Sequence, residues 1–255
     1  MRRRGSRLRQ KELTLTYDNI FLDISSSFGI TGSISDLGVS RNFSKMYVLT
    51  GFGASSVYQL ELNNPSDISA NTYNNLNIVV ALDSRGFYIN NANDKIYVSS
   101  GDISQYNLGN SNDVSTAVNA SKNFGINGGQ GFCFSADEKR LFKIGSYGSS
   151  IDKNIYRYDL TVAGDGTTLS AIIEQYDMVN DNGGTGGGLS FIENGNKLLS
   201  IGNVNYYSTP TPYSLSGISL LKNLVAGTFQ GIAVNESIKK IYLTTKTTIY
   251  QYSYN

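Results

Sequence analysis

Apolar and polar residues alternate along this chain in short runs separated by polar turns, and the runs recur in a fixed order. Five copies of one unit align without an internal gap: DLGVSRNFSKMYV from Asp36, GFYINNANDKIYV from Gly86, GFCFSADEKRLFK from Gly131, GLSFIENGNKLLS from Gly188 and GIAVNESIKKIYL from Gly231. Each reads as an apolar strand, a polar turn, a basic anchor nine positions from the start, and a second apolar strand. The anchors are Lys45, Lys95, Arg140, Lys197 and Lys240, spaced by 50, 45, 57 and 43 residues. Period-two alternation predicts strands. A repeat of this length built from strands is the mark of propeller blades.

The third copy displays the unit most fully. Residues 131–135 form an innermost strand apolar on both faces, residues 137–139 a polar turn, and residues 141–144 a second strand. Residues 155–160 alternate as a third strand and residues 171–176 as a fourth, which makes one four-stranded antiparallel blade. The third strand recurs at 57–62, 103–108 and 249–252 and degenerates at 210–215. There Pro210 and Pro212 cannot donate to a ladder, which predicts a distorted third strand in the fourth blade. Asp67-Ile68-Ser69 and Asp113-Val114-Ser115 precede fourth strands and read as side-chain-capped turns. The fifth unit shows no fourth strand, while residues 13–24 carry a spare one ahead of the first unit. Pairing the two closes the ring and removes two open sheet edges. The predicted fold is all-β: a five-bladed β-propeller over residues 13–255, with an N-terminal strand in the last blade and residues 1–12 as a separate arm. Phe87, Phe132, Phe134, Leu189, Phe191 and Ile232, on the innermost strands, are expected to be buried.

Three elements of the unit resemble known propeller repeats. Lys45-Met46-Tyr47-Val48, Val57-Tyr58-Gln59 and Asp67-Ile68-Ser69-Ala70 carry the likeness to the YncE-like and lactonase-like propeller superfamily. The pattern resembles still more the repeat proteins of tailed bacteriophages, over about residues 13–255. It departs in the first turn, where a Pro-Asp-Gly is replaced by RNFS, NAND, ADE, ENGN or NESI, and no Trp precedes Asp-Ile-Ser. The resemblance implies the propeller fold. As an expectation of function it implies a non-enzymatic virion structural protein, on tail or head, assembled in multiple copies with other virion proteins.

Composition changes this picture mainly by exclusion. The 18 Tyr and 11 Phe suit pleated, half-buried surfaces, and 27 Gly against 3 Pro suit many turns. The chain has no histidine, which removes Ser-His-Asp and Cys-His nucleophile systems and His-ligated metals. Cys133, the single cysteine, lies between Phe132 and Phe134 and reads as a small buried hydrophobe. No apolar run approaches the roughly 20 residues that span a bilayer. The basic start runs into polar sequence, so neither membrane insertion nor a secretory signal is expected. The expected location is the virion, after synthesis in the host cytoplasm. Charge is divided unevenly. Arg2, Arg3, Arg4, Arg7, Arg9 and Lys11 give residues 1–11 a charge of +6, leaving −5 on the remainder. Such a segment is either a solvated tail or an attachment arm. Arginine pairs bidentately with carboxylates, so an acidic groove on a neighbouring subunit is the receiver expected first, and nucleic acid second.

Candidate sites are few. The glycine run at 183–188 enters a strand and lacks the Lys-Ser/Thr of a phosphate loop. Asp165-Gly166-Thr167 and Asp181-Asn182-Gly183 lack the ligand spacing of a calcium loop and read as plain turns. Residues 146–154, with Tyr147, and 202–211, with Tyr206 and Tyr207, read as loops longer than hairpins need. Exposed tyrosines there suit sugar stacking or a protein contact. A host-surface glycan is the ligand they point to, which makes a lectin-like module the alternative function. A hydrolase is a third reading, for which no carboxylate pair is nominated. Neither a cofactor nor a metal is expected.

Overall fold

The computed structural model describes residues 13–51, 53–126, 129–145, 152–181 and 187–255. An initial strand, β1 (Leu15–Asp23), is followed by five sets of strands. Blade one holds β2 (Ser33–Val39), β3 (Lys45–Gly51), β4 (Ser56–Glu61) and β5 (Thr72–Val79). Blade two holds β6 (Gly86–Ile89), β7 (Lys95–Ser100), β8 (Asp102–Leu108) and β9 (Ala117–Asn123). Blade three holds β10 (Gly131–Phe134), β11 (Arg140–Ile144), β12 (Asn154–Leu160) and β13 (Leu169–Asp177). Blade four holds β14 (Leu189–Ile192), β15 (Lys197–Ser200), β16 (Val204–Ser208) and β17 (Ser219–Val225). Blade five holds β18 (Gly231–Asn235), β19 (Lys240–Thr244) and β20 (Thr248–Tyr254), with β1 as its outer strand. The fold is thus an all-β five-bladed propeller of four-stranded antiparallel blades.

Every basic anchor is the first residue of its blade's second strand. In blades one, two and three the turn before it is closed by a side chain at the end of the innermost strand. Ser40 Oγ, Asn90 Oδ1 and Ser135 Oγ accept the amides of Lys45, Lys95 and Arg140 at 3.0, 2.9 and 3.0 Å. A hydroxyl or amide that bonds its own backbone does here what Pro-Asp-Gly does in other turns.

Ring closure follows the predicted scheme. β1 runs antiparallel to β20 from Leu15 opposite Tyr254 to Asp23 opposite Thr248. A bulge between Tyr17 and Ile20 turns Asp18 inward, where its carboxylate accepts from Lys240 Nζ at 2.7 Å, Gln251 Nε2 at 2.8 Å and Ser253 Oγ at 2.7 Å. These contacts hold the Asp18 carboxyl below its usual range despite partial burial. Asp23 then caps a short helix, Ile24–Phe28, which ends at Gly29 with φ +67°.

Neighbouring blades are stitched by polar side chains crossing the seams. Gln251 Oε1 accepts from Ile68 N at 3.2 Å and Gln59 Oε1 from Val114 N at 3.1 Å, each reaching the single 3₁₀ turn before the next blade's outer strand. Tyr242 and Tyr97 donate to the carbonyls of Pro65 and Gly164 at 2.7 and 2.9 Å. Between blades three and four an ion pair takes the place of the glutamine. Arg157 meets Glu174 at 3.0 Å, and Glu174 accepts from Leu215 N and Ser214 Oγ at 2.5 and 2.8 Å. The core is accordingly a ring of apolar clusters, each packed between two adjacent blades.

All five outer strands are bulged against their third strands. The irregularities fall at Tyr17/Ile20, Tyr58/Leu60, Gln105/Tyr106, Arg157/Tyr158 and Tyr206/Tyr207. In three of them a left-handed residue makes the kink: Asn19, Asn75 and Ser121, with φ of 58°, 58° and 54°.

The fourth blade differs from expectation. Its third strand is β16, Val204–Ser208, and residues 210–215 belong to the connection that follows. Prolines without amides cannot serve the ladder, so the preceding Val-Asn-Tyr-Tyr-Ser segment takes that place. Tyr206 and Tyr207 are therefore strand residues, 4% and 0% exposed, packed into two different inter-blade clusters. Neither is available to stack a ligand, which corrects their reading as loop tyrosines. Of the expected core, Phe87, Phe132, Phe134, Leu189 and Ile232 are buried, whereas Phe191 is half-buried. The arm residues Arg2, Arg3, Arg4, Arg7, Arg9 and Lys11, together with Tyr147 and the glycines at 183–186, lie outside the described residues.

Candidate functional site at the ring axis

Four of the five repeats begin with glycine, and the packing gives the reason. A Cβ on Gly131 would stand 1.6 Å from the carbonyl oxygen of Gly187, and one on Gly231 would stand 2.6 Å from the Cα of Asp36. The innermost strands approach too closely for any side chain there. Blade one breaks the rule with Asp36, whose side chain fills the axis and is 3% exposed. Its Oδ1 accepts from Leu37 N and its Oδ2 from Phe87 N, both at 2.9 Å, and Ile232 N also bonds the carboxyl. One carboxyl thus ties the innermost strands of blades five, one and two. Burial pushes its pKa well above the usual carboxylate range against the opposing pull of the three amides.

Above Asp36 the axis opens as a funnel of about 270 Å³ toward the face that carries the first turn of each blade. Asp36 and Cys133 lie at its narrow end, and burial raises the Cys133 thiol far above its ordinary value. Aromatic side chains line one side: Tyr88 packs on Phe134 with centroids 4.9 Å apart, and Phe191 on Tyr213 at 5.0 Å. Arg41 and Glu236, both exposed, stand at the mouth. Among the described residues no cluster of three or more His, Cys, Asp or Glu could hold a metal ion.

The remaining sequence candidates occupy ordinary structural places. Asp165 caps the 3₁₀ turn Gly166–Thr168 through Thr167 N at 3.1 Å and takes Lys122 Nζ at 2.6 Å, which lowers its pKa to about 2. Beyond those candidates, Lys143 of β11 in the same blade is buried and donates to Gly145 O at 2.7 Å, and burial lowers its pKa. Asp36 was visible in the sequence as the one copy starting with Asp where the others start with Gly. Tyr213 had no such signal.

Sequence comparison with known families and with curated proteins finds no match. Comparison of folds finds propellers. The chain is similar to Myxococcus xanthus glutaminyl cyclase at 12% identity and TM-score 0.55, over 88% of this chain and 91% of that one. It is similar to a chain of the nidogen–laminin complex at 13% identity and TM-score 0.54, over 83% and 72% of the two chains. A functionally unknown protein from Desulfotomaculum acetoxidans aligns at 15% identity and TM-score 0.48, over 89% of this chain and 67% of that chain. The first two likenesses, at these identities, bear on the fold alone and leave function to the chain's own surfaces.

Proposed function

We propose that this chain is a non-enzymatic structural propeller of a tailed-bacteriophage virion, held to neighbouring subunits by its arginine-rich arm. The observation that carries the reading is where the ring begins. Leu13 is buried in the cluster between blades four and five, and Thr14 N donates to Asn255 Oδ1 at 3.0 Å. The chain from Leu13 through Asp23 is built into blade five, so the six cations before Glu12 are not needed to complete the fold. Tyr254, opposite Leu15, donates its N–H to Lys239 O in the first turn of blade five at 3.0 Å, so β1 begins at the funnel face. The absence of catalysis is supported by Asp36, whose oxygens are engaged by main-chain amides and whose neighbouring thiol is kept protonated.

The test replaces Arg2, Arg3, Arg4, Arg7 and Arg9 by Ser. Thermal melting should be nearly unchanged, while incorporation into particles falls and wild-type association weakens with salt wherever the contacts are solvent-accessible. Full incorporation of the charge-stripped protein would refute the attachment role.

A further inference from the structure

We propose that the axial funnel binds one pyranose ring of a neutral glycan, stacked on Tyr213. The inference does not depend on the virion reading and is tested separately from it.

The first support is the way Tyr213 is held. Among the described residues it is the one contributor to the funnel from a connection between third and fourth strands. Its φ is +54°, a conformation that bulky side chains rarely adopt and that persists only where the surroundings impose it. Those surroundings are specific. Tyr213 N donates to Gly195 O at 2.9 Å, and the ring lies over Gly195, where a Cβ would come within 2.5 Å of it. Gly195 itself has φ +85°. The next two residues are fixed by the Glu174 carboxylate through Ser214 Oγ and Leu215 N. The proline-bearing connection is thereby folded inward and pinned, which delivers a half-exposed aromatic ring to the funnel wall.

The second support is the character of the lining. Tyr88, Phe134, Phe191 and Tyr213 make an aromatic side, while Ser190 brings a hydroxyl to the same space and Asn91 an amide oxygen, its Nδ2 already donating to Ala136 O at 2.7 Å. Arg41 and Glu236 place opposite charges at one mouth. A hydrocarbon would desolvate those polar groups without pairing them. An ion of either sign would meet a like charge at the rim. A neutral ring with one apolar face and a hydroxylated edge uses both kinds of surface. The volume of about 270 Å³ falls just below the roughly 300–1,000 Å³ usual for small-molecule sites. It suits one ring and not a long chain.

The experiment is saturation-transfer NMR of the full chain with the methyl pyranosides of glucose, galactose, mannose and N-acetylglucosamine. Sodium benzoate and 1-adamantanol serve as the charged and hydrocarbon comparisons. At least one pyranoside should bind. Tyr213→Gly, which removes the ring and relaxes the backbone, should weaken binding about five- to tenfold, and Tyr213→Phe should restore it. Ser190→Trp, filling the funnel from an innermost strand, should abolish binding, and all three variants are checked for a retained cooperative melt. A glycan array run beside it separates the sources: retention of terminally matched glycans identifies a chain end, and solution binding alone a free sugar, either outcome supporting the site. Failure of all four pyranosides with folded wild-type protein overturns the proposal. So does binding unaffected by either Tyr213→Gly or Ser190→Trp, or preference for benzoate or adamantanol.

Discussion

Replacing Asp36 tests whether the axis is held by a single side chain. In Asp36→Ala the amides of Leu37, Phe87 and Ile232, which belong to three different blades, lose their acceptor. A buried donor left unpaired costs roughly 1–3 kcal/mol. Three of them give about 3–9 kcal/mol. The funnel reaches Asp36, so water can enter and satisfy part of this demand. The expected loss therefore lies in the lower half, about 3–6 kcal/mol. Asp36→Asn keeps one acceptor oxygen and should lose less. The two variants differ more sharply in pH response. The folded-state pKa of Asp36 lies above its ordinary value of 3.8, so between those values the native state binds the proton more tightly than the unfolded chain. Its stabilising contribution is fully present below about pH 4 and declines as pH rises through the folded value. Denaturant titrations from pH 3.5 to 8, with wild type minus Asp36→Asn plotted against pH, isolate this slope from the other acids. Asp18, Asp137 and Glu174, whose values are lowered, act in the opposite direction in both proteins and cancel. A flat difference curve, or an Asp36→Ala protein as stable as wild type, would refute the argument.

Deleting residues 1–24 removes β1 together with Asp18 and exposes β20 as an open edge, so the protein should aggregate or melt far earlier, whereas deleting residues 1–12 should leave melting intact; a monomeric 1–24 deletion with unchanged melting counts against the closure scheme. Phe134→Ala empties a site packed by Tyr88, Tyr97 and Phe124 and should cost about 3–5 kcal/mol in denaturant unfolding. In the same experiments the Cys133 thiol of native wild type should label far more slowly than a free thiol, since it is buried and held protonated.

Blade number and ring closure were legible because alternation is a local property and the anchors repeat it in register. Lys45, Lys95, Arg140, Lys197 and Lys240 each open a second strand as their alignment implies. Position within a blade was less legible where turn and strand signals compete. The run from Val204 to Ser208 follows Gly202-Asn203 and precedes two prolines, so its strand character was masked by its flanks. Val204, Tyr206 and Tyr207 are all buried because both faces of the blade meet a neighbour, a situation in which alternation no longer separates inside from outside. The same geometry explains the glutamines. Gln59 and Gln251 look like solvent-facing positions of an alternating strand, yet they are buried and carry bonds across seams. The inward fold of Tyr213 depends on Gly195 and Glu174, which are distant enough in sequence that no local pattern announces it.

The five bulged outer strands bear on how such a ring can be used. Their exposed apolar side chains, among them Phe21, Val79, Val118, Ile172 and Leu221, would make a flat edge an attractive template for a further strand. A kink in every one, at the same point of every blade, interrupts the row of free amides and carbonyls before it is long enough to recruit a strand. The circumference is thereby closed to growth by strand addition. Rings of this construction can be crowded side by side at high local concentration without fusing their sheets.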